Sequence, residues 1–120
     1  MALGEGPQVA LAHSQNGQMT NLAIGSGDQE IRVESLDAYL DGRRITFLKA
    51  DVEGMEMPLL SGAASTIRSH RPKLAICAYH YPPDIIEITH CLKSLVREYR
   101  FALRHHSPQL METVLYAWTD

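Results

Sequence analysis

Three carboxylates follow an apolar run in the middle of the chain. Asp51, Glu53 and Glu56 surround Gly54 in the stretch ITFLKADVEGMEMPLL. Carboxylates and imidazoles are the side chains that most often move protons in catalysis, and they also bind metal ions. A histidine of the same potential use, His80, follows a second apolar run, LAICAY. The spacing therefore predicts a site where the ends of two buried segments meet.

Alternating strand and helix patterns position these residues. EIRVES predicts a strand, and ITFLKAD and KLAICAY are apolar runs typical of buried strands. SLDAYLDG predicts a short helix with Ser35 as its N-cap, and two longer segments repeat apolar residues at helical spacing, the first broken at Gly62. RFALRHHS and ETVLYAWT predict a C-terminal hairpin. This order predicts an α/β fold, mostly parallel with an antiparallel C-terminal hairpin and with helices on both faces.

Residues of catalytic type follow three of the predicted strands. Asp51 and Glu53 come after the first, His80 after the second, and His105 and His106 after the third. The carboxyl ends of parallel strands lie on one edge of a sheet, and ligands bind beyond that edge. We therefore expect these side chains to share one functional rim.

Most of these residues also have a plain structural explanation. Acids are common in the first turn of a helix, which accounts for Glu56 as readily as catalysis does. His80 could be a hydrogen-bonded loop residue. Side chains alternate along a strand, so only one of His105 and His106 can face a given side. Asp51 directly follows a buried strand and has fewer structural reasons to be there.

Composition and charge argue against several classes of function. The chain has 120 residues, 45% of them hydrophobic, and a net charge of −3. These values fit one domain with a modest core, and they do not predict nucleic-acid binding. We expect neither a signal peptide nor membrane association, because no apolar run is long enough. Cys77 and Cys91 lie in apolar segments without a CxxC pair, so we expect a cytoplasmic protein.

Residues 1–30 are rich in glycine, glutamine, serine and asparagine. We predict a poorly ordered N-terminal segment here, with one or two short strands at most, and an ordered domain over residues 31–120. The stretch GSGDQE has Glu30 where a glycine-rich phosphate loop has its last glycine, and a strand-like segment follows it. We therefore interpret it as a surface turn.

A metal site is considered but not assigned. Asp51, Glu53 and His80, with either His105 or His106, could supply oxygen and nitrogen ligands. The sequence contains neither HExxH nor a CxxC pair, and the ligands would come from three separate strands. A metal-dependent hydrolase therefore remains an alternative function for this chain.

Several motifs, in one order, resemble the C-terminal half of FkbM-type methyltransferases, which use S-adenosylmethionine. SLDAYL supplies a Leu-Asp pair, KADVEGME a Lys-x-Asp-x-Glu-Gly-x-Glu strand end, and LSGA the Leu-x-Gly-Ala that follows. With RPKLAICAYH and the C-terminal segment, the resemblance covers residues 31–120. It implies a partial Rossmann-like methyltransferase sheet in which Asp51 closes the fourth strand, beside the methyl donor and the substrate hydroxyl.

The resemblance implies an O-methyltransferase that acts on a hydroxyl of a sugar or natural product. His80 follows the strand near whose end the family usually has an acid. A histidine's ordinary pKa of about 6.5 suits proton removal at neutral pH, so we assign His80 as the general base. Asp51 and Glu53 are assigned to catalysis as well, and Asp51 also to cofactor binding. The other polar residues of the rim are assigned to substrate binding: Glu56, His105 and His106.

The donor-binding part of such enzymes has a glycine-rich turn that no segment before Asp28 matches. We therefore expect a truncated domain that is inactive alone and does not bind S-adenosylmethionine by itself. Strand Ile45–Asp51 would then be a sheet edge, to be paired with a second copy, with the missing N-terminal half, or with Val9–Ala12 or Leu22–Ile24 of this chain. A non-catalytic partner of a donor-binding half is a further alternative.

Overall fold

A computed structural model describes residues 1–15, 18–23, 29–109 and 111–120 of the chain. The strands and helices within these residues follow one another in this order: β1 (Ala2–Gly4), β2 (Gln8–Gln15), β3 (Gln18–Ala23), β4 (Gln29–Ser35), α1 (Leu36–Leu40), β5 (Phe47–Ala50), α2 (Glu56–Ser61), α3 (Ala64–His70), β6 (Lys73–Cys77), α4 (Asp84–Leu95), β7 (Arg100–His105) and β8 (Thr113–Trp118). None of the helices in the described ranges combines the length and the apolar content that a membrane span requires.

The sheet that carries the predicted rim has the strand order β5-β6-β8-β7. β5 and β6 are parallel, with Phe47 opposite Lys73 and Ala50 opposite Ile76. β8 is antiparallel to both β6 and β7, so β7 points in the same direction as β5 and β6. The carboxyl ends of β5, β6 and β7 therefore lie at one edge of this sheet.

One face of this sheet is packed against the helices. Leu74, Ile76 and Leu115 point to the same side because side chains alternate along a strand. They share one core with apolar residues from all four described helices: Leu36, Leu40, Leu59, Leu60, Ile67, Ile88 and Leu92. Burying each large apolar side chain stabilises the fold by about 1.5–3 kcal/mol. This core fixes the sheet against the helices that start at the rim.

Three strands, β1, β2 and β3, lie in the described residues up to Ala23, where the sequence predicted a poorly ordered segment with one or two short strands at most. A second sheet has the order β1-β4-β2-β3, with β1 parallel to β4 and β2 antiparallel to β3 and β4. The segment is polar and lacks a long apolar run, but pairing between strands satisfies its backbone groups without one. Residues 25–28 of the GSGDQE stretch lie outside the described residues.

The fold is mixed α/β, and β5, β6 and β7 of the rim sheet run in one direction, but fewer strand pairings are parallel than predicted. Two of the six strand pairings in the described ranges are parallel, namely β1 with β4 and β5 with β6. The antiparallel pairing of β7 with β8 agrees with the prediction. The prediction of helices on both faces is not met, because the described helices contribute to one core on one face. The last strand, β8, inserts between β6 and β7. Hydrophobic periodicity identifies strands but does not reveal their order in a sheet, so the sequence did not predict this position.

The Leu-Asp pair of the sequence motif has a structural role. The Ser35 side chain caps α1 as predicted, accepting a hydrogen bond from the Ala38 backbone N–H at 3.1 Å. Asp37 instead caps the start of α3, since its two carboxylate oxygens accept the backbone N–H groups of Ser65 at 3.0 Å and Thr66 at 2.8 Å. Gly62 separates α2 from α3, and a Cβ there would lie only 2.0 Å from the Gly4 carbonyl oxygen.

Replacing Asp37 with Ala should lower the free energy of unfolding by about 1–2 kcal/mol, because two N–H groups at the start of α3 lose their acceptors. Urea denaturation followed by circular dichroism measures this change. Asp37→Asn keeps one acceptor oxygen and should lose less. An Asp37→Ala chain as stable as the wild type would show that this cap does not stabilise the fold.

Candidate functional site

Four ionisable side chains converge where β5 and β6 end. The ring nitrogen Nε2 of His80 lies 3.7 Å from Asp51 Oδ1 and 3.5 Å from Glu53 Oε2. The other ring nitrogen, Nδ1, lies 3.0 Å from Glu56 Oε1. The predicted rim thus brings together Asp51, Glu53, Glu56 and His80. We call these four residues the rim cluster.

A tight turn after β5 creates the cluster. Glu53 and Gly54 both have left-handed backbone conformations, with φ of 52° and 92°. This region is strained for a residue such as Glu53 and natural for glycine. A Cβ at Gly54 would also lie 2.8 Å from the Tyr81 ring. The Val52 backbone N–H donates to Glu56 Oε1 at 3.1 Å, which ties the turn to the start of α2.

Burial divides the rim cluster into an outer and an inner part. The side chains of Asp51 and Glu53 are 42% and 50% exposed, whereas that of His80 is 12% exposed. Glu56 is 1% exposed and lies behind the histidine. Two solvated carboxylates therefore cover the imidazole, and a buried carboxylate supports it from inside the protein.

Tyr79 also belongs to the site, although we did not assign it from the sequence. Its hydroxyl donates to Asp51 Oδ1 at 3.2 Å, and its ring packs against that of His80 with centroids 4.2 Å apart. Burial, with the Asp51 carboxylate nearby, raises the pKa of Tyr79 to about 12. Burial likewise raises the pKa of Cys77 to about 11. Both groups therefore stay protonated at neutral pH, and neither serves as a base.

A groove of about 470 Å³ crosses the sheet face opposite the core. Side chains of β5, β6 and β8, with loop residues near the rim, line it: Phe47, Lys49, Asp51, Ala75, Cys77, Tyr79, His106, Glu112, Val114 and Tyr116. The alternation of side chains along β5 and β6 puts these residues on one face, a signal that could have identified Tyr79 from the sequence.

The two C-terminal histidines are separated by this geometry. His106 lines the groove, and its Nε2 lies 2.9 Å from the Tyr116 hydroxyl. His105 is not among the residues that line the groove, and its Nδ1 lies 2.8 Å from Thr113 Oγ1. The groove reaches the rim cluster through Asp51, so His106 shares a surface with the cluster and His105 does not.

Three members of the rim cluster could hold a metal ion. One ligand atom each from Asp51, Glu53 and His80 lies within 4.8 Å of the others. Two carboxylate oxygens and an imidazole nitrogen suit a divalent cation such as Mn²⁺ or Zn²⁺. Exposed acidic side chains such as those of Asp51 and Glu53 are also common without a bound cation.

Comparison with known proteins finds a family model and a solved structure that match this chain. A family model described as Methyltransferase FkbM domain matches residues 4–107. The crystal structure of Methyltransferase FkbM from Methylobacillus flagellatus KT is similar, with a TM-score of 0.79 and 33% sequence identity. That match covers 97% of this chain and 26% of the other, so this chain spans about a quarter of the solved chain's length. No curated protein matches it. The family match begins well before residue 31, where the sequence motifs placed its start.

Proposed function

This chain belongs to the FkbM methyltransferase family, and we propose that it activates the acceptor hydroxyl for an S-adenosylmethionine-dependent O-methyltransferase. The acceptor is a small molecule of the sugar or natural-product class. The observation that carries the proposal is the position of His80, whose imidazole lies among three carboxylates at the carboxyl ends of β5 and β6. Imidazole is the side chain that most often serves as a general base in enzymes.

In this proposal His80 takes the acceptor's proton at Nε2. That atom is covered by protein atoms and faces Asp51 and Glu53 at distances beyond a hydrogen bond. A hydroxyl therefore binds first to one of the two exposed carboxylates, and its proton reaches Nε2 by way of that carboxylate. The proton then lies on Nε2, the ring nitrogen that faces Asp51 and Glu53.

The rim also fits the methyl donor. S-adenosylmethionine, when bound, supplies a methyl group on a positively charged sulfonium. Asp51 and Glu53 are exposed carboxylates, and their charge attracts a cation to the rim. We propose that Asp51 helps to hold the donor and that His106, which lines the same groove as Asp51, binds the acceptor, whereas His105 lies outside that groove.

Two further parts of the proposal concern the position of the donor-binding turn and the cellular location. We propose that the donor-binding glycine-rich turn lies in a part of the enzyme other than this chain, which spans 26% of the solved relative. We also propose a cytoplasmic location, because Cys77 and Cys91 are free thiols and thiols stay reduced there.

If the donor-binding turn lies elsewhere, this chain alone should bind S-adenosylmethionine weakly or not at all. Isothermal titration calorimetry of the isolated chain measures the affinity directly. One-to-one binding with a dissociation constant of about 10 μM or tighter, which needs roughly 7 kcal/mol of binding free energy, would contradict this proposal.

Replacing His80 with Ala should lower turnover by about 100-fold or more, since a general base typically contributes that much. The assay uses a chimaera in which this chain replaces the matching segment of the Methylobacillus flagellatus protein. Turnover is followed as S-adenosylhomocysteine formed with a panel of sugar and natural-product hydroxyls. Asp51→Ala should also lower turnover strongly, and both variants should lose far less stability than turnover because neither side chain belongs to the apolar core.

The exposed His90 on α4 provides the matched control for that assay. His90→Ala should leave turnover unchanged within about twofold, because it removes an imidazole far from any proposed step. If the folded His80→Ala chimaera keeps near-normal turnover, His80 is not the base.

A metal-dependent hydrolase is the second candidate, and it rests on the ligand atoms of Asp51, Glu53 and His80 that lie within 4.8 Å of one another. Metal analysis of the purified chain separates the two functions: a stoichiometric bound metal with hydrolytic activity favours the hydrolase. A non-catalytic partner of a donor-binding half is the third, and it is excluded if adding that half restores methyl transfer with the wild-type chain but not with His80→Ala.

β5 is the edge strand of its sheet in the described part of the chain, and Phe47 on it is 57% exposed. The segments expected to cover this edge pair elsewhere: Val9–Ala12 pairs with β4, and Leu22 and Ala23 pair with β2, while Ile24 lies outside the described residues. We propose that a second copy of the chain pairs with β5 when the donor-binding half is not present. An unpaired apolar edge is a template for such pairing.

Sedimentation equilibrium over a concentration series should therefore show a dimer of the isolated chain. Hydrogen exchange supplies the second measurement, because pairing protects the outward N–H groups of β5. Phe47→Lys adds a charge to the edge and should shift the chain toward monomer. A stable monomer with rapid exchange along Ile45–Asp51 would contradict the pairing.

A further inference from the structure

Glu56 is a buried carboxylate that the proposed proton transfer does not itself use. It is 1% exposed, and its Oε2 has no hydrogen-bond partner among the described residues. Burying a carboxylate is costly unless it is paired or hydrogen-bonded. Its Oε1 accepts the Val52 N–H at 3.1 Å and lies 3.0 Å from His80 Nδ1. We assigned Glu56 to substrate binding from the sequence, but a carboxylate this deeply buried suits a different role.

The position of Glu56 at the first residue of α2 does not account for its burial. An acid at a helix start is favourable because it lies near free backbone N–H groups, and it needs no burial for that. The N-cap of α2 is Met55, which makes no side-chain capping bond. Glu56 contacts the turn before the helix and the imidazole of His80 instead.

Distances and burial decide which ring nitrogen of His80 carries the hydrogen. Neither ring nitrogen makes a well-aligned hydrogen bond. Nδ1 lies within hydrogen-bond distance of Glu56, whereas the distances from Nε2 to Asp51 and Glu53 are too long for a hydrogen bond. A carboxylate can only accept, and a neutral imidazole has one N–H and one lone pair. Glu56 also acts from a buried position, where a charge interacts more strongly than the two solvated carboxylates do.

We propose that Glu56 is a positioning residue that accepts the Nδ1–H of His80 and so holds the neutral ring with its lone pair on Nε2. This inference rests on the proposed function for its importance, because Nε2 is the atom that takes the acceptor's proton. If the hydrogen were on Nε2, that atom would have no lone pair to offer. Asp51 and Glu53 favour that unproductive tautomer, and Glu56 opposes them.

Nitrogen-15 NMR of the imidazole ring reads the tautomer in the isolated chain, without methyl transfer. The same spectra follow the protonation of the ring, and the tautomer ratio is read at a pH above that transition, where the ring is neutral. In the wild type, the Nδ1–H form of His80 should exceed the Nε2–H form by at least about tenfold, as a charge-assisted hydrogen bond supports. Glu56→Ala should reduce this ratio by about tenfold or more.

Glu53→Gln is the matched control, since it removes a carboxylate from the other side of the same ring. It should leave the Nδ1–H form dominant or increase it. Glu56→Gln covers the case in which Glu56→Ala does not fold: it keeps the volume but loses the charge, and the ratio should again fall. A dominant Nε2–H form in the wild type, or a ratio that the Glu56 variants leave unchanged, would overturn the assignment.

In the chimaera, Glu56→Gln should lower kcat with little change in KM, because it alters the state of the base and not the acceptor's contacts. The two proposals fail separately. The tautomer ratio decides the role of Glu56 whether or not the chimaera transfers methyl groups, and the turnover of His80→Ala decides the proposed function whatever the tautomer.

Discussion

The parallel pairing of β5 with β6 is the constraint on which the site depends. It aligns Ala50 with Ile76, so the residues that follow both strands leave the sheet at the same edge. The acids after β5 and His80 after β6 are thereby brought within 4 Å although about 30 residues separate them in the chain. The pairing is held by a core that the helices share with the sheet. Stability and chemistry therefore depend on the same element, with apolar residues below the edge and ionisable residues beyond it.

The left-handed turn at Glu53 and Gly54 converts this edge into a cluster. Without it the chain would continue in the direction of β5, and α2 could not begin beneath His80. The turn places Glu53 outside the imidazole and Glu56 inside it, so two acids three residues apart have opposite exposure. Strain at Glu53 is offset by the Val52 hydrogen bond to Glu56 and by the packing of Tyr81 over Gly54. Backbone strain of this kind is common where side chains are held for function.

Much of the order of elements was predictable, because periodicity, caps and breakers are local signals. Ser35 caps α1 and Gly62 separates two helices, as their residue types indicated. The convergence of Asp51 and His80 followed from the rule that parallel strands end at one edge. At most two short strands were predicted before residue 24, where the structure has three, because polar residues can pair in a sheet without an apolar pattern. The burial of Glu56 was missed because a residue's type at a helix start does not reveal which way the preceding turn points its side chain.

Asp51 connects the rim cluster with the groove, since it faces His80 and also lines the groove. Tyr79 determines how it does so. The phenol stays protonated at neutral pH and donates to Asp51 Oδ1, the oxygen that faces Nε2. An oxygen that already accepts the Tyr79 hydroxyl gains less from closing the 3.7 Å separation to His80. In the proposed mechanism, two contacts leave Nε2 without a good hydrogen bond: that of Glu56 with the far nitrogen and that of Tyr79 with Asp51. In the proposed mechanism that unsatisfied lone pair is what an acceptor hydroxyl, bound at Asp51 from the groove, would protonate.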